Sequence, residues 1–391
     1  MINIDSKTSI KTLEESYVKL FKNAEVDITI SKTLTSADFG LIPAIIQFFA
    51  TWYNHTTKSK IIFKIKTEND LEEYYKLDYL FPCLTYCWSR NMVDENGKDL
   101  KPALKTLNLT KHDKMKMQTD GGGNQVLLSC FDHLSITKGL LNSFYIDGTF
   151  ISNETQFDFA IDKPIKQVIN FNRSLRDANY RSQHPDIIAI IYELMKNTDD
   201  WGRTDEFNKP LNPNTRGLFL KLHKRSRDSF IKSFAGYDVL KDYFSHKSFE
   251  GNSKDELYFL EISVYDSGIG FIKRNLGTDY EKIESQEQIK IVKACMIKNN
   301  TSAVGLDKEV KGQGLDRIMG ILDNKGLFWL RTENVSIFRN LRVNRYKEDT
   351  STSDIDLYDM FNNSKTKFSN LELAKGSVVT LVYPISNISN A

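Results

Sequence analysis

Apolar side chains recur along the N-terminal part of the chain with two different spacings. The run VDITI and the run KIIFKI at 60–65 are short and rich in β-branched residues, which is typical of buried strands. Residues 37–55 and 77–88 instead place apolar side chains at helical spacing. We therefore predict a small α/β module over residues 1–125.

This alternation loosely resembles that of STAS-like domains, which are small α/β modules for regulation and protein contacts, and the resemblance implies an interaction role. A polar stretch after the module ends in three glycines at 121–123, which is typical of a flexible connector. A chain of 391 residues is also long for a single core. We place a domain boundary here, so that residues 126–391 form a second domain.

The second domain carries stronger periodic signals. Residues 184–201 predict a helix with one apolar face. Four strands are predicted at 216–224, 256–266, 326–333 and 377–385. A further helix is predicted at 315–324. Residues 227–255 form a long insertion with helical character, whereas residues 272–311 are polar and too irregular to be core.

Composition and charge exclude several classes of protein. Hydrophobic residues make up 40% of the chain and aromatic residues 12%, which is ample for buried cores. The 53 Lys and Arg residues are balanced by 51 Asp and Glu residues, so no net field favours nucleic acid or an acidic membrane. No run of about 18 apolar residues occurs, and acids lie where a secretion signal would be apolar. We expect a folded cytoplasmic protein without membrane contact.

The cysteines and histidines do not have the spacing of metal ligands. Cys83, Cys87, Cys130 and Cys295 are scattered, and the closest pair has no second pair to complete a metal cage or a disulfide framework. The six histidines are dispersed as well. We predict buried, reduced thiols and no metal cage built by the protein alone.

Three polar residues share one stripe of the helix predicted at 184–201. Glu193, Asn197 and Asp200 are spaced i, i+4 and i+7, which stacks them on one side at 3.6 residues per turn. A solvated helix face is one interpretation. Burial beside an apolar face is the other, and it would be costly unless a ligand or partner satisfied these groups.

The strand predicted at 256–266 runs into Asp266-Ser-Gly-Ile-Gly270. Gly268 and Gly270 have no Cβ, so the backbone can adopt positive φ or approach another molecule closely. A tight turn would explain one such glycine more readily than two. The motif is therefore a candidate binding site as well as a turn.

Two further glycine motifs lie nearer the C-terminus. Gly312 and Gly314 precede Leu315 at the start of the helix predicted at 315–324, where backbone N–H groups without internal partners favour an anion. A loosened loop is the alternative interpretation. Gly376 and Ser377 open the strand predicted at 377–385, which is a weak signal by itself.

In this order, the four motifs resemble those of the GHKL ATPases, the superfamily of gyrase-type topoisomerases, Hsp90 chaperones, histidine kinases and MutL-type repair proteins. The resemblance covers about residues 180–386, roughly half of the chain. It implies a Bergerat-type α/β sandwich, of the α+β class, with helices on one face of a mixed sheet. It also implies that the domain binds ATP and Mg²⁺.

The resemblance implies a role for each matching residue. Asp266 resembles the acid that accepts a hydrogen bond from the exocyclic amine of adenine, and Gly268 and Gly270 would leave room for the base. Asn197 resembles the magnesium ligand, a neutral amide suited to a metal already bound by triphosphate. Glu193 resembles the residue that polarises the attacking water.

The remaining matches concern the phosphate end and the adenine end of the site. Gly312, Gly314 and Leu315 resemble the segment that cradles phosphate, and Asp200 resembles a further pocket acid. Ser377 occupies the place of a threonine near the adenine-binding acid and keeps its hydroxyl. Residues 272–311 would form the ATP lid.

One departure concerns the helix that carries the stripe. Thr198, Asp199 and Trp201 follow Asn197, where related proteins often have small residues. We therefore expect the packing under this helix to differ from that of the superfamily.

The function implied by the resemblance is ATP binding with slow, Mg²⁺-dependent hydrolysis. Lid closure would drive a conformational or oligomeric switch, with a homodimer or a protein partner as the recipient, in a bacterial regulatory, stress or antiviral system. A non-hydrolysing, nucleotide-gated interaction module, with Glu193 as a structural cap, is an alternative.

The sequence leaves two more functions open. A protein kinase of the histidine-kinase or anti-sigma type would need a phosphoacceptor, for which His112 and His133 are the nearest candidates. Nucleic-acid binding is suggested by the basic runs at 221–232 and 339–347, which lack the interleaved aromatic residues of a single-strand binder.

Overall fold

The computed structural model describes residues 1–35, 38–120, 123–171, 179–277, 283–297, 313–348 and 351–385. The fold is a mixed α/β one in which helices pack against two main sheets. Strands of the first sheet lie between residues 2 and 94, and strands of the second between residues 125 and 384.

A four-stranded parallel sheet organises the N-terminal part of the chain. Its neighbouring strands, in order, are β1 (Ile2–Ile4), β2 (Ile28–Ile30), β3 (Ile61–Phe63) and β4 (Met92–Asp94). The helices of this part are α1 (Ile10–Phe21), α2 (Leu41–His55), α3 (Leu71–Tyr74), α4 (Leu80–Tyr86) and α5 (Lys101–Lys116). The predicted strands and helices of the module are thus present, whereas β1 and β4 were not predicted.

The second part of the chain builds a seven-stranded sheet. Its strands and a separate hairpin are β5 (Gln125–Cys130), β6 (Tyr145–Ile146), β7 (Thr149–Phe150), β8 (Arg216–Ser226), β9 (Glu256–Asp266), β10 (Leu327–Glu333), β11 (Val335–Asn340), β12 (Tyr358–Asp359) and β13 (Ala374–Pro384). Strands β6 and β7 pair with each other, and the others lie in the order β12-β11-β10-β13-β9-β8-β5.

The seven-stranded sheet differs from the mixed sheet that was expected. Every pairing between its described strands is antiparallel. The reason is the position of β13, the last strand, which runs between β9 and β10 and antiparallel to both. No parallel crossover is therefore needed in the middle of the sheet.

One face of this sheet is covered by helices of the second part of the chain. The helices described in this part are α6 (Ile136–Gly139), α7 (Glu154–Asn170), α8 (Asn179–Trp201), α9 (Arg227–Ser233), α10 (Asp238–Ser245), α11 (Phe271–Leu276), α12 (Ser285–Cys295) and α13 (Gly314–Leu322). Of these, α7, α8, α12 and α13 contribute to one apolar core with the sheet, in which Ile190 of α8 and Ile318 of α13 are buried with Ile262 of β9.

The opposite face is covered as well, which differs from the expected arrangement with helices on one face only. Helix α2 is buried on nearly all sides, from Ile45 through Trp52 without a break. A helix that is apolar all round must be enclosed, and α2 lies between the two sheets, packing on Phe219 and Val378 of the second sheet. The two parts of the chain therefore share a core.

The insertion at 227–255 is helical, as predicted, and completes the cover of this second face. Phe230 of α9 and Phe244 of α10 stack with ring centroids 5.0 Å apart. Both rings belong to an aromatic cluster that includes Phe39, just before α2, and Trp329 of the sheet. The long insertion thus buries the part of the sheet that α2 does not reach.

The segment expected to be the lid is not wholly polar surface. Of residues 272–311, the described parts include most of α11 and all of α12. Ile272, Ile289 and Val292 are buried in the core, so the prediction that the segment is too irregular for the core is wrong for these residues. Residues 278–282 and 298–311 lie outside the described residues.

The structure also describes the cysteines, which were expected to be buried and reduced, and the helices, none of which was expected to span a membrane. Cys83, Cys87 and Cys130 are buried free thiols, and Cys295 is a partly exposed free thiol whose pKa is raised to about 11 by burial. Within the described ranges, no helix combines the length and the apolar character needed to cross a bilayer.

Candidate functional site

A cavity lies where the carboxyl end of β9 meets α8, α11 and the start of α13. Six residues singled out in the sequence line it: Asn197, Asp266, Gly270, Gly314, Leu315 and Ser377. They come from four motifs that are far apart in the chain and that the fold brings to one place. The cavity also has an apolar wall formed by Leu194, Val264 and Val379.

Asp266 lies at the end of β9, between two other strands of the sheet. Its backbone pairs in register with Arg216 on one side and Ser377 on the other. One carboxylate oxygen accepts a hydrogen bond from the N–H of Gly268 at 2.7 Å. Burial raises the pKa of Asp266 to about 6, and the Gly268 hydrogen bond opposes that rise. This carboxyl group therefore titrates near neutral pH.

Two glycines pack closely against Asp266. A Cβ on Gly268 would lie 2.6 Å from Oδ1 of Asp266 and 3.0 Å from Cα of Gly202, and a Cβ on Gly202 would lie 3.0 Å from Cβ of Asp266. Gly202 was missed in the sequence, where it stands alone after a helix. Its role depends on the fold, which places the end of α8 beside the end of β9.

Gly270 makes room for a buried acid. Its φ of +86° is one that a side chain rarely adopts, and a Cβ there would lie 2.2 Å from Cδ of Glu333. Glu333 is 1% exposed and accepts hydrogen bonds at 2.9 Å from the backbone N–H groups of Ile272 and Lys273. Burial raises the pKa of Glu333 to about 7. Glu333 was not recognised in the sequence, because it is an ordinary-looking acid at a strand end.

Ser377 connects the cavity to this acid. Its hydroxyl lies 3.0 Å from the hydroxyl of Thr332, which in turn donates to Glu333. The side chains of Ser377, Thr332 and Glu333 thus form a buried chain of polar groups behind the cavity wall. The serine identified in the sequence keeps the hydroxyl that the resemblance requires.

Asn197 and Gly314 line the cavity, and Glu193 lies beside Gly314 but is not itself a lining residue. A Cβ on Gly314 would lie 2.7 Å from Oε2 of Glu193 and 3.5 Å from Nδ2 of Asn197. Glycine at the first position of α13 therefore lets that helix begin directly against α8. No hydrogen bond to the side-chain amide of Asn197 occurs within the described part of the chain, so this amide can serve a ligand.

Glu193 is already bound by a residue that the sequence did not single out. Nη1 of Arg317, one turn into α13, donates to Oε1 of Glu193 at 3.0 Å. The same guanidinium pairs with Glu154 at the start of α7. Arg317 stands in a helix of ordinary composition, and only the crossing of α13 over α8 reveals its role.

The structure separates one other predicted residue, Asp200, from the lining of the cavity. Asp200 accepts a hydrogen bond from Lys196 at 2.9 Å and is not a lining residue. Trp201, the next residue, does line the cavity, so the Asp200 side chain differs in the direction it takes from the helix, towards Lys196. Gly312 lies outside the described residues, whereas Leu315 is part of the wall.

Trp201 packs at the end of α8, on the side of the cavity that faces α11. Its ring and the side chain of Thr198 line the cavity. The guanidinium of Arg274 in α11 lies 5.8 Å from the Trp201 ring centroid and donates to the Trp201 carbonyl at 2.9 Å. Large residues thus join the end of α8 to α11 along this side of the cavity.

A buried ion pair supports the floor beneath Asp266. The guanidinium of Arg216 is fully buried and makes two hydrogen bonds of 2.8 Å to Asp132. Asn214 donates both to Asp132 and to the carbonyl of Gly202, each at 3.0 Å. Removing one member would leave a buried polar group without its partner, which typically costs several kcal/mol. This network fixes Gly202 beside Asp266.

The histidines considered as phosphoacceptors and the basic runs considered for nucleic-acid binding both make contacts within the fold. His112 contacts the carbonyl of Lys138 and His133 that of Asn214. In the basic runs, His223 and Arg339 are buried, so neither run is an uninterrupted cationic surface.

The arrangement suits a ligand with an apolar, flat part and an anionic part. The lining combines a carboxyl group with a hydrogen-bonded backbone neighbour, apolar side chains, and the Asn197 amide beside the start of α13. Helix N-termini favour anions. A neutral amide oxygen is a suitable ligand for Mg²⁺ that an anion already binds.

Comparison of the chain with protein-family models, with curated proteins and with solved structures finds no match.

Proposed function

We propose that this protein binds ATP with Mg²⁺ in the cavity and hydrolyses it slowly, with a Bergerat-type domain like that of the GHKL ATPases that its motifs resemble. The observation that supports this most strongly is that Asp266 and Asn197 line one cavity. Their sequence motifs resemble segments that bind opposite ends of one nucleotide, so their meeting in space agrees with the resemblance.

Adenine would lie at the Asp266 end. The carboxylate accepts a hydrogen bond from the exocyclic amine, and the apolar wall of Leu194, Val264 and Val379 covers the ring. The hydroxyl of Ser377, held by Thr332, lies beside the acid on the neighbouring strand.

The triphosphate would lie at the start of α13. Asn197 would supply an amide oxygen to Mg²⁺, and the first N–H groups of α13, which begins beside Asn197 and Glu193, would bind phosphate. Bound with the nucleotide, Mg²⁺ would neutralise phosphate charge. Glu193, beside both groups, is suitably placed to orient and deprotonate a water molecule.

Nucleotide binding would be relayed to the N-terminal part through α2. Gln47 of α2 donates hydrogen bonds at 3.2 Å to the carbonyls of Gly376 and Arg331. Gly376 precedes Ser377 of the cavity wall, so a shift of this wall reaches α2 directly. A protein partner or a second copy of the chain would receive the change.

Calorimetric titration of the full chain with MgATP tests the binding proposal. We expect Asp266→Asn to weaken ATP binding by about 10- to 100-fold, because a hydrogen bond to a charged group contributes about 1.5–3 kcal/mol. Asp323→Asn is the control, since Asp323 pairs with Arg345 at the other end of α13. Absence of binding to the unaltered protein, or equal binding by Asp266→Asn, would contradict the proposal.

Incubation with γ-labelled ATP and Mg²⁺ tests hydrolysis. We expect labelled phosphate in solution, and Glu193→Gln should bind ATP while turnover falls by about 10²- to 10⁴-fold. Label retained on the protein would indicate a kinase instead. Binding without any turnover would indicate a nucleotide-gated module.

A further inference from the structure

The guanidinium of Arg317 bridges two carboxylates at the phosphate end of the candidate site. Arg317 follows Gly314 by one helical turn and donates to Glu193 of α8 at 3.0 Å and to Oε2 of Glu154 of α7 at 3.0 Å. A further contact joins Nη1 to Oε1 of Glu154. One cation is thus shared by two acids beside the start of α13.

The ion pair between Arg317 and Glu154 is open to exchange, because the two side chains are 42% and 41% exposed and exposed pairs contribute only about 0–1 kcal/mol. The Glu193 side chain is 16% exposed, so a group that takes Arg317 from it must bind the guanidinium more strongly than a single carboxylate contact does. A phosphate group offers the planar guanidinium a bidentate partner with stronger, charge-assisted hydrogen bonds. An anion that enters beside Gly314 would therefore compete well for Arg317.

A second cation, Lys196, is carried by α8 itself. Lys196 is paired with Asp200 through the hydrogen bond described above, and both lie on the same helix. Arg317 lies on α13 itself, on the helix whose N-terminus faces the phosphates. Its side chain already contacts the Glu193 carboxylate that Gly314 approaches.

We propose that Arg317 recognises the terminal phosphate of the nucleotide and that this exchange controls Glu193. In the nucleotide-free protein, Arg317 holds Glu193. A nucleoside triphosphate draws the guanidinium to its γ-phosphate and leaves the Glu193 carboxylate free to accept a proton from water. This inference rests on the proposed function, and it makes Arg317 the residue that distinguishes ATP from ADP.

The test compares binding of a non-hydrolysable ATP analogue, ADP and adenosine, with Mg²⁺, by calorimetry on the full chain. We expect Arg317→Ala to lower the ratio of ATP-analogue to ADP affinity by about 10-fold, because charge-assisted hydrogen bonds to one phosphate are lost. Adenosine affinity should not change. Arg317→Lys should restore part of the ratio, since it keeps the charge and loses the fork.

Arg345→Ala is the matched control. Arg345 is 51% exposed and pairs with Asp323 near the C-terminal end of α13 through two contacts of 2.7 Å. The substitution Arg345→Ala removes an ion pair of the same kind, away from the cavity. It should leave the affinities for the ATP analogue, ADP and adenosine unchanged.

The outcomes separate the two proposals. If the unaltered protein binds no adenine nucleotide, both the proposed function and this inference are wrong. If it binds ATP while Arg317→Ala keeps the ratio, or weakens all three ligands equally, the inference is overturned and the proposed function stands.

Discussion

Asp266 is the residue whose protonation should control recognition of the base. Burial raises its pKa from 3.8 to about 6, so the carboxyl group is largely protonated at pH 5 and ionised above pH 7. Only the ionised form is a full acceptor for the amine of adenine. We predict that adenosine affinity rises by about 10-fold between pH 5 and pH 7, since one pH unit below a pKa leaves about a tenth ionised.

Calorimetry with adenosine measures this dependence without the phosphate groups of ATP, which titrate in the same range. Asp266→Asn should give weaker binding that does not vary with pH. Glu333→Gln should keep the pH dependence, although Glu333 has a pKa of about 7 behind the same wall and interacts with Asp266. Loss of the pH dependence in Glu333→Gln would assign the titration to Glu333 instead of Asp266.

The glycine at 270 supports a second residue-scale prediction. Gly270→Ala places a methyl group against the Glu333 carboxylate at a φ of +86°. The ψ of 170° at Gly270 completes a conformation that essentially only glycine adopts, so we predict a loss of about 2–6 kcal/mol in the free energy of unfolding, the sum of backbone strain and overpacking. Urea denaturation measures it.

Gly236→Ala is the control for the backbone term. Gly236 has a similar φ of +89°, and a Cβ there would meet nothing within 4 Å. Its substitution should cost only about 1–2 kcal/mol. Equal losses at the two positions would mean that Glu333 moves aside without cost.

At the scale of elements, helix α2 connects the cavity wall to the N-terminal sheet. The Gln47 carboxamide is 2% exposed and donates to the carbonyls of Gly376 and Arg331. Gln47→Leu keeps the size of the side chain and leaves two buried carbonyls without this donor, at about 1–3 kcal/mol each. We predict lower stability and weaker ATP binding together, because the Gly376–Ser377 segment loses its support.

Asn54→Ala separates the two effects. Asn54 also lies on α2, but its amide donates to Ala50 of the same helix and to Tyr86 of the N-terminal part. For Asn54→Ala, thermal unfolding should show a lower stability, whereas calorimetry should show an unchanged ATP affinity. If Gln47→Leu behaves in the same way, α2 does not reach the site.

The elements that could be predicted from the sequence are those long enough for their apolar residues to repeat with the spacing of a helix or a strand. Strand β9 and helices α2, α4 and α13 repeat their apolar residues often enough to be recognised. Asp266, Asn197 and Gly314 were recognised because a motif order resembles that of known ATPases. Gly202, Glu333 and Arg317 could not be, since each matters only through a neighbour that the tertiary fold brings close.

At the scale of the whole molecule, several polar contacts as well as apolar packing join the two parts of the chain. The N–H of Gly40 donates to buried Glu261 at 2.8 Å, and buried Arg331 pairs with Glu14 at 2.7 Å. Separation would leave Glu261 and Arg331 without these partners and expose Phe219 and Val378. Losing one partner of a buried pair is costly, so neither part has an easy route to open alone.

We therefore predict that the two sheets unfold in one cooperative step. Hydrogen exchange should give the amides of β2 and of β9 the same free energy of opening, because both open only when the shared core around α2 is lost. Glu14→Gln, which weakens the pair with Arg331, should lower both values by the same amount. A lower value confined to β2 would show that the N-terminal part opens separately, and then a signal from the nucleotide could pass through detachment of α2 rather than through a shift of its packed position.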